Sequence, residues 1–372
     1  MNKLKKKYLA IRNRRVEAAE RKTHHELVNA TLDDQAYSRV KKIGGGYNGS
    51  KREFDEVVLK YWSKYGVKPK KFYFDLYCDG KEAYDPRYIP DPVWKGNMIE
   101  YFNNRNWRSV VSDKGLTGRM LPTSKRPDTI VKNMNGYYYN GDGDESITME
   151  EAIDLCKNEE HLIIKPSFLS KGKGITFYDR DSSDRIDLEK TFKNLDANFI
   201  VQRIVKQHPD LKRLNESSLN TIRIISFRFK GEVYILSALL RMGSAGARID
   251  NVSAGGSAVP IKSDGSLYEK SVNRKSNWTT ETPNGIKYAD IRIPSYDKLV
   301  ETCKTLHSKL PYLGIIGWDF AIDESGDPVL IEFNTEPGQN QISCGPTFGD
   351  LTEEVLDEVF IKKSMNKTIK YH

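Results

Sequence analysis

The strongest constraint on the fold of this chain is the segment of residues 315–334, IIGWDFAIDESGDPVLIEFN. Two apolar, partly β-branched runs flank a Glu-Ser-Gly-Asp turn, so the segment is predicted to form an antiparallel β-hairpin. If the turn is centred on residues 325–326, Asp319 lies directly opposite Glu332, and Asn334 lies one pleat further along the same face. Two carboxylates would then stand about 5 Å apart in a half-buried sheet.

Like charges in such a position are destabilising, so either one carboxyl keeps a proton or a cation lies between the two groups. The oxygen of Asn334 would be a third ligand and favours the cation. Hard oxygen ligands without His or Cys suit Mg²⁺, which normally completes its octahedron with phosphate oxygens when few protein ligands are present. The sequence therefore predicts a magnesium site at Asp319, Glu332 and Asn334. The alternative is a strand whose polar face simply meets water.

A second predicted hairpin, LIIKPSFLSKGKGITFY, offers a cradle for phosphates. Its loop combines glycines, hydroxyls and a lysine, which are the ingredients of an anion-binding nest. The candidate phosphate-binding residues are Lys165, Ser167, Ser170, Gly172, Lys173 and Gly174. The loop is neither a Walker A motif nor a Rossmann fingerprint, and a solvated hairpin would have a similar composition.

Further candidates follow along the chain. The strand NFIVQRIV presents Gln202, whose amide suits a purine edge. The next predicted hairpin carries Asn220, Arg223 and Arg241 near one end, where arginines can clamp carboxylate or phosphate. The glycine-rich loop after it is predicted to face a reacting acyl group, unless it is only a turn, and it contains Asp250, Asn251, Gly255 and Gly256.

Composition limits the setting of the protein. Residues 1–22 hold nine Lys or Arg against two Glu, so this segment carries +7 of the formal +8 charge of the 372-residue chain. No apolar run approaches the roughly 20 residues of a membrane span, and the four cysteines lack metal-type or disulfide-framework spacing. We expect a cytoplasmic protein. The basic segment suits a peripheral contact with the anionic inner membrane face, although a solvated helix explains it more simply, and no nucleic-acid partner is expected.

The predicted secondary structure and the charge of the sequence change near residue 100. Residues 1–100 are basic and mainly helical in pattern, with proline-rich, irregular structure expected over 66–100. From about residue 105 the pattern is α/β, with a capping box at Thr148 and Glu151 that starts a helix. Predicted strands are 162–165, 175–178, 198–202, 222–229, 233–240, 315–322 and 329–333.

The order of these motifs, from about Asp113 to Gly338, resembles that of the ATP-grasp superfamily and most closely its sugar-transfer-associated branch. The most specific part is GWDFAID…PVLIEFNTEPG, followed by SLNTIRIISF, and DKGLTGRMLP around Lys114 looks like the family's opening segment. The resemblance implies an α/β (α+β) ATP-grasp fold. Two antiparallel-sheet lobes would clasp ATP over residues 101–372, with a lid subdomain at 160–205 and a metal- and substrate-binding subdomain at 206–360.

The resemblance also implies residue roles. ATP would lie on Lys114, Lys165 and the loop of residues 167–174, called the lid loop below, with Gln202, Arg203 and Ile204 at the adenine. Asp319, Glu332 and Asn334 would hold two Mg²⁺ ions, with Glu332 bridging them. Arg241, Arg223 and Asn334 would be the catalytic residues, with Arg241 stabilising the transferring phosphoryl group. Contacts with the substrate are implied for Arg223, His208, Asn220 and the glycine-rich loop.

The implied chemistry is activation of a carboxylate as an acyl phosphate, followed by displacement of phosphate by an amine. The acid and the amine would be small molecules or sugar-linked compounds, in surface polysaccharide synthesis or sugar modification. Two alternatives share the nucleotide site: an ATP-grasp kinase acting on a hydroxyl, and a non-catalytic nucleotide-binding protein of a glycan assembly.

Overall fold

The computed structural model describes residues 23, 26–141, 145–169, 172–195, 197–244, 246–248, 256–273, 278–282 and 284–363. The chain divides into two compact units, one of residues 1–101 with 339–372 and the other of residues 102–338. The sequence analysis instead placed residues 339–372 in the ATP-grasp domain. The roles assigned to the predicted regions stay predictions.

The first unit is helical. Helix α1 covers residues 26–42, and π-helical turns interrupt two of the helices that follow. These helices are α2 (Lys51–Glu53, π-helical Phe54–Leu59, Lys60–Ser63), α3 (Lys71–Tyr77) and α4 (Asp91–Val93, π-helical Trp94–Ile99, Glu100–Phe102). The C-terminal part adds α11 (Gln341–Cys344), a 3₁₀ turn (Gly349–Leu351) and α12 (Thr352–Leu356, π-helical Asp357–Lys362).

Aromatic side chains fill the core of this unit, with Trp62, Phe74 and Trp94 almost fully buried. The expectation of irregular structure over residues 66–100 was wrong in two places, since α3 and much of α4 fall there. Pro92 does not break α4, because it lies in the first turn, where its missing N–H has no intrahelical partner to lose. No described helix is long and apolar enough to cross a membrane.

The second unit begins with α5 (Arg105–Val111), a 3₁₀ turn (Lys114–Leu116) and α6 (Thr117–Met120). Its first sheet is antiparallel throughout, in the order β3-β2-β1-β6-β4-β5. The strands are β1 (Thr129–Met134), β2 (Tyr137–Asn140), β3 (Glu145–Ile147), β4 (His161–Pro166), β5 (Thr176–Asp179) and β6 (Phe199–Arg203). Helices α7 (Met149–Lys157) and α8 (Leu188–Leu195) contribute to the core on one face.

The two faces of the first sheet differ in chemistry. Val131, Ile164 and Val201 point into the core shared with α7 and α8. Because side chains alternate along a strand, their neighbours Lys132 and Lys165 point to the opposite face. Ile200 is the register partner of both lysines, so they flank it in one row across the sheet.

The second sheet is also antiparallel, in the order β11-β10-β9-β8-β7-β12-β13. Its strands are β7 (Thr221–Phe229), β8 (Glu232–Met242), β9 (Ser257–Pro260), β10 (Ser271–Asn273), β11 (Trp278–Thr279), β12 (Ile315–Ile322) and β13 (Pro328–Asn334). Also present are α9 (Pro209–Lys212), a 3₁₀ turn (Tyr288–Asp290) and α10 (Tyr296–Ser308). One face of the sheet packs against α10 around Ile224, Trp318 and Phe320. The residues between these on each strand face the other way.

The hairpin of β12 and β13 has the predicted residue pairing at the carboxylates, but its turn and the register next to the turn differ from the prediction. Asp319 does pair with Glu332, and residue 317 with Asn334. Near the turn, however, the register differs by one residue, because the loop spans residues 324–326 and ends on Gly326, whose φ is +80°. A β-bulge next to Asp319 leaves Ile331 without a partner and restores the predicted register.

The mixed α/β fold with antiparallel sheets and a helical N-terminal region, predicted from the sequence, is confirmed. All seven predicted strands exist within one or two residues at each end. The capping box is present, with both Thr148 and Glu151 side chains bonded to backbone N–H groups. Strands β1, β2, β3, β9, β10 and β11 were not predicted from the sequence.

Candidate functional site

Three charged side chains form a row across neighbouring strands of the second sheet. Arg223 on β7 is the register partner of Asp319 on β12, which is in turn the partner of Glu332 on β13. The Arg223 guanidinium donates two hydrogen bonds to Asp319, from Nε to Oδ1 at 2.6 Å and from Nη2 to Oδ2 at 2.7 Å. Arg241 on β8 donates a third, from Nη1 to Asp319 Oδ1 at 2.9 Å. Asp319 is thereby fixed in place.

Asp319 and Glu332, called the carboxylate pair below, differ in their readiness to ionise. Burial alone would raise the pKa of Asp319, but the charges of Arg223 and Arg241 hold it below its ordinary value. Burial, and then the charge on Asp319, raise the pKa of Glu332, while Lys114 offsets this only in part. Of the two, Glu332 is therefore the group that binds a proton more readily.

Lys114 connects the lid loop to the carboxylate pair. Its Nζ donates to the carbonyl oxygens of Leu169 at 2.7 Å and Ser167 at 3.3 Å, and it lies 3.6 Å from Glu332 Oε2. The side chain of Asp113 caps the 3₁₀ turn that carries Lys114 by accepting from the N–H of Gly115 at 2.8 Å. The ammonium group of Lys114 is thus held between the lid loop and Glu332.

Two buried polar atoms of the site that contains Lys114 have no hydrogen-bond partner. They are Oγ of Ser167, on the lid loop, and Nδ2 of Asn334, at the end of β13. Most buried polar atoms in folded proteins are satisfied, so each such exception needs an explanation. A bound anion with several oxygens, such as a phosphate chain, would supply acceptors for both atoms.

The donor set of this site fits a hard divalent cation that brings further ligands with it. Among the described residues no group of three or more His, Cys, Asp or Glu could hold a metal ion. Within that part of the chain, the ligands of this site are the carboxylate pair and the Asn334 amide oxygen. Both oxygens of Asp319 already accept guanidinium N–H groups. Mg²⁺ therefore fits only with Glu332 ionised and with phosphate oxygens or water as the remaining ligands.

On the first sheet, Lys165 is buried, and its Nζ donates to Gln202 Oε1 at 3.1 Å. Gln202 is buried on β6, with Nε2 at 3.3 Å from Thr129 Oγ1. The lid loop needs glycine at position 174, where φ is +71° and an added Cβ would lie 2.9 Å from Pro166 Cγ. Gly172 also has a positive φ, and Lys173 is exposed.

The remaining predicted residues lie in other environments. Arg203 is half-exposed, forms ion pairs with Glu159 and Asp128, and precedes the exposed Ile204. His208 caps α9 through Nδ1. Asn220 is fully buried, and its amide N–H groups bond the carbonyl oxygens of Leu211 in α9 and of Asn215 beyond it. Gly256 is buried before β9, whereas Ser170, Asp250, Asn251 and Gly255 lie outside the described residues.

These placements leave the predicted roles as predictions, with two adjustments. Arg241, expected at the transferring phosphoryl group, here contacts Asp319. Nδ2 of Asn220, a residue expected at the substrate, donates to the carbonyl oxygens of Leu211 and Asn215, whereas its buried Oδ1 has no hydrogen-bond partner among the described residues.

A cleft of about 300 Å³ opens beside the carboxylate pair and contains residues that the sequence analysis did not select. They are Arg108, Val111, Ser112, Thr117, Phe168, Leu169, Phe333, Thr335 and Glu336, in addition to Lys114, Glu332 and Asn334. Thr335 and Glu336 could have been found, because they continue the motif that contains Asn334. Arg108 gives no such signal, since it lies on a short helix 228 positions from its ion-pair partner Glu336.

Another residue missed is Asn103, which is fully buried and fixes the exit of β13. Its Nδ2 donates to the carbonyl oxygens of Thr335 at 2.5 Å and Ile315 at 2.7 Å, and its Oδ1 accepts from the N–H of Ile315 at 2.8 Å. One asparagine thus ties the start of β12 to the residue after Asn334.

Comparison with solved structures finds matches at low sequence identity. An L-amino acid ligase from Bacillus licheniformis is 14% identical over 68% of this chain and 48% of its own, with a TM-score of 0.40. A D-alanine-D-alanine ligase from Helicobacter pylori is 17% identical over 70% of this chain and 62% of its own, with a TM-score of 0.42. A biotin carboxylase from Campylobacter jejuni is 13% identical over 67% of this chain and 46% of its own, with a TM-score of 0.42. This chain therefore spans about half the length of the L-amino acid ligase.

No curated protein matches the chain. A family model described as sugar-transfer associated ATP-grasp matches residues 95–355, which is well over half of the sequence. That range contains the whole row from Arg223 to Glu332, Lys114, the lid loop and the cleft. The chain belongs to the sugar-transfer associated ATP-grasp family.

Proposed function

We propose that this protein is an ATP- and Mg²⁺-dependent carboxylate–amine ligase that works through an acyl phosphate. Its acid and amine would be small molecules or sugar-linked compounds, in the synthesis of a surface polysaccharide or the modification of a sugar. The family description supports the link to sugar transfer. A cytoplasmic setting and a contact of residues 1–22 with an anionic membrane face belong to the same proposal, and those residues lie outside the described part of the chain.

One observation carries the proposal. The buried Ser167 Oγ and Asn334 Nδ2 lack hydrogen-bond partners, and Lys114 Nζ lies 3.3 Å from the Ser167 carbonyl oxygen and 3.6 Å from Glu332 Oε2. A site with two unsatisfied polar atoms, a cation and a carboxylate that favours its proton fits a ligand that brings phosphate oxygens and a divalent cation together. The triphosphate of MgATP is such a ligand.

In the proposed reaction, an oxygen of the acid's carboxylate attacks the γ-phosphorus of ATP and ADP leaves. The amine then attacks the acyl carbon, phosphate leaves, and the amine loses a proton. Lys114, Lys165 and the lid loop would hold the phosphates, while Arg223 keeps Asp319 ionised and fixed. Bound Mg²⁺ would neutralise charge on the transferring phosphoryl group. No side chain acts as a nucleophile, so the protein contributes positioning and electrostatic stabilisation.

The deciding experiment measures ADP release by the full chain with MgATP against a library of acids and amines. We expect release to require both an acid and an amine, and hydroxylamine in place of the amine to yield a hydroxamate from the acyl phosphate. A stable phosphomonoester product would instead identify a kinase. ATP binding without turnover on any pair would identify a non-catalytic nucleotide-binding protein.

A further inference from the structure

The cleft beside the carboxylate pair ends in a second charged group. The guanidinium of Arg108 lies in its wall with only 6% of the side chain exposed, and Nη1 donates to Glu336 Oε1 at 2.8 Å. The Glu336 side chain is 57% exposed. The cation of this ion pair is therefore buried and the anion is largely in solvent.

Local structure holds Arg108 in place. Asn104 caps α5 by accepting from the N–H of Asn106 at 3.0 Å, and the Oγ of Ser112 donates to the Arg108 carbonyl oxygen at 2.6 Å. Ser112 in turn lies 3.5 Å from Thr335, through their hydroxyl oxygens. The helix that carries the guanidinium is thus attached to the chain just beyond Asn334.

A buried guanidinium needs an anion, because removing a charge from water is expensive unless the charge is paired. Glu336 is an exchangeable partner. Since its side chain is mostly in solvent, it can return to water with little loss when another anion enters the cleft.

The anion at Arg108 would be distinct from the phosphates at the carboxylate pair. Residues along a strand advance about 3.3 Å each, so Asn334 lies about 7 Å beyond Glu332, and Glu336 lies beyond the end of the strand. Phe168 and Leu169, both exposed at the lid loop, add apolar surface to the same cleft. An elongated molecule could thus place one end at Glu332 and the other at Arg108.

We propose that Arg108 is a specificity-determining residue that binds a second, non-reacting anionic group of the acid substrate, with Glu336 as its internal substitute when the cleft is empty. The inference rests on the proposed function, because it takes the acid to be the occupant of this cleft. It restricts the acid to molecules with a carboxylate or phosphate beyond the carboxylate that reacts. A planar guanidinium suits either group, because it can donate two parallel hydrogen bonds.

The test is titration calorimetry on the full chain with succinate in one arm and inorganic phosphate in the other. The nucleotide site is first saturated with Mg²⁺ and a non-hydrolysable ATP analogue, so that it cannot bind the probe. We expect at least one probe to bind, the binding to weaken about tenfold or more in Arg108→Gln, and the binding to tighten several-fold in Glu336→Gln. Arg52→Gln is the matched control, since Arg52 is an exposed member of an ion pair with Glu56 at 2.8 Å.

The opposite effects of the two substitutions separate this role from a structural one. If Arg108 and Glu336 only stabilise the fold, both substitutions lower the melting temperature and neither changes probe binding selectively, which overturns the inference. Should Arg108→Gln fail to fold, Glu336→Gln still decides, because an unchanged or weakened affinity contradicts competition. Absence of probe binding by a chain that binds the ATP analogue overturns the inference but leaves the ligase proposal intact. If the analogue does not bind, the ligase proposal fails, and the same titrations without nucleotide judge Arg108.

Discussion

Asp319 lies opposite Glu332 only because β13 leaves Ile331 out of the ladder. Between Pro328 and Leu330 the strand directs its even-numbered residues to the core, where Leu330 packs beside Phe320. Continued without a bulge, that alternation would point Glu332 into the core. The extra residue reverses the alternation, so Glu332 meets Asp319 on the cleft face.

Glu332→Gln should abolish magnesium-dependent ATP turnover and leave the fold unchanged. Glutamine keeps the size of the side chain and a polar end group that can still donate to Asp319, but it cannot provide an anionic ligand. We expect turnover to fall at least about 100-fold, measured as acid-dependent ADP release. The matched control is Glu324→Gln, at an exposed position in the turn of the same hairpin. Equal turnover in both variants would remove Glu332 from the metal site.

Gly317→Ala should impair the site through packing alone. An added Cβ would lie 2.7 Å from Pro337 Cβ, and residue 317 is the register partner of Asn334. The segment after β13 must then move, at a loss of roughly 1–3 kcal/mol of unfolding free energy, and Asn334 moves with it. Gly338→Ala is the control, since its Cβ would meet nothing within 4 Å. Urea unfolding and ATP affinity of the two variants test this, and similar values for both would contradict it.

Lys165→Ala should weaken binding of ATP far more than binding of AMP. The buried ammonium donates to Gln202 Oε1 at 3.1 Å and is predicted to contact the phosphates of the nucleotide, and hydrogen bonds to charged groups contribute about 1.5–3 kcal/mol each. A 10- to 100-fold loss of ATP affinity follows, measured by calorimetry. Lys193→Ala, which removes an exposed lysine paired with Glu189, controls for charge. If affinity for AMP fell as much as that for ATP, the assignment of Lys165 to the β-phosphate would be wrong.

The hairpin at the centre of the site could be predicted from local pattern, whereas its bulge could not. The alternation of apolar residues predicts the two strands, and the Gly-containing turn between them predicts that Asp319 lies opposite Glu332. The turn proved one residue different from the prediction, and a second irregularity compensated for it. The adjacent apolar residues Val329, Leu330 and Ile331 are a signal in retrospect, since three in a row cannot all face one side of a regular strand.

Strands and residues whose environment depends on distant segments could not be predicted. Strand β1 carries Lys132 almost fully buried in mid-strand, which contradicts any local expectation for lysine. The environment of Arg108 is set by its ion pair with Glu336, and that of Asn103 by hydrogen bonds to the ends of β12 and β13. No local sequence pattern marks such partners, because the fold alone brings them together.

A last prediction concerns pH and starts from a buried histidine behind the site. His307 on α10 accepts at Nδ1 from Ser226 Oγ at 2.6 Å and donates from Nε2 to the carbonyl oxygen of Leu313 at 2.9 Å. The indole N–H of Trp318, the residue before Asp319, donates to the same Ser226 Oγ at 2.7 Å. Both ring nitrogens are thus occupied in the neutral form of the imidazole.

Burial lowers the pKa of His307 from 6.5 to about 4, so between these values the unfolded chain binds a proton that the folded chain does not. The free energy of unfolding should therefore fall as pH drops from 6.5 towards 4, by about 3 kcal/mol from this group, given about 1.4 kcal/mol for each pKa unit. In His307→Gln the contribution disappears, although the variant is less stable at pH 7 because Ser226 and Leu313 lose their partner. Urea unfolding at a series of pH values measures both curves. Parallel curves between pH 4 and 6.5 would mean that His307 does not titrate abnormally, and that another group accounts for any acid instability.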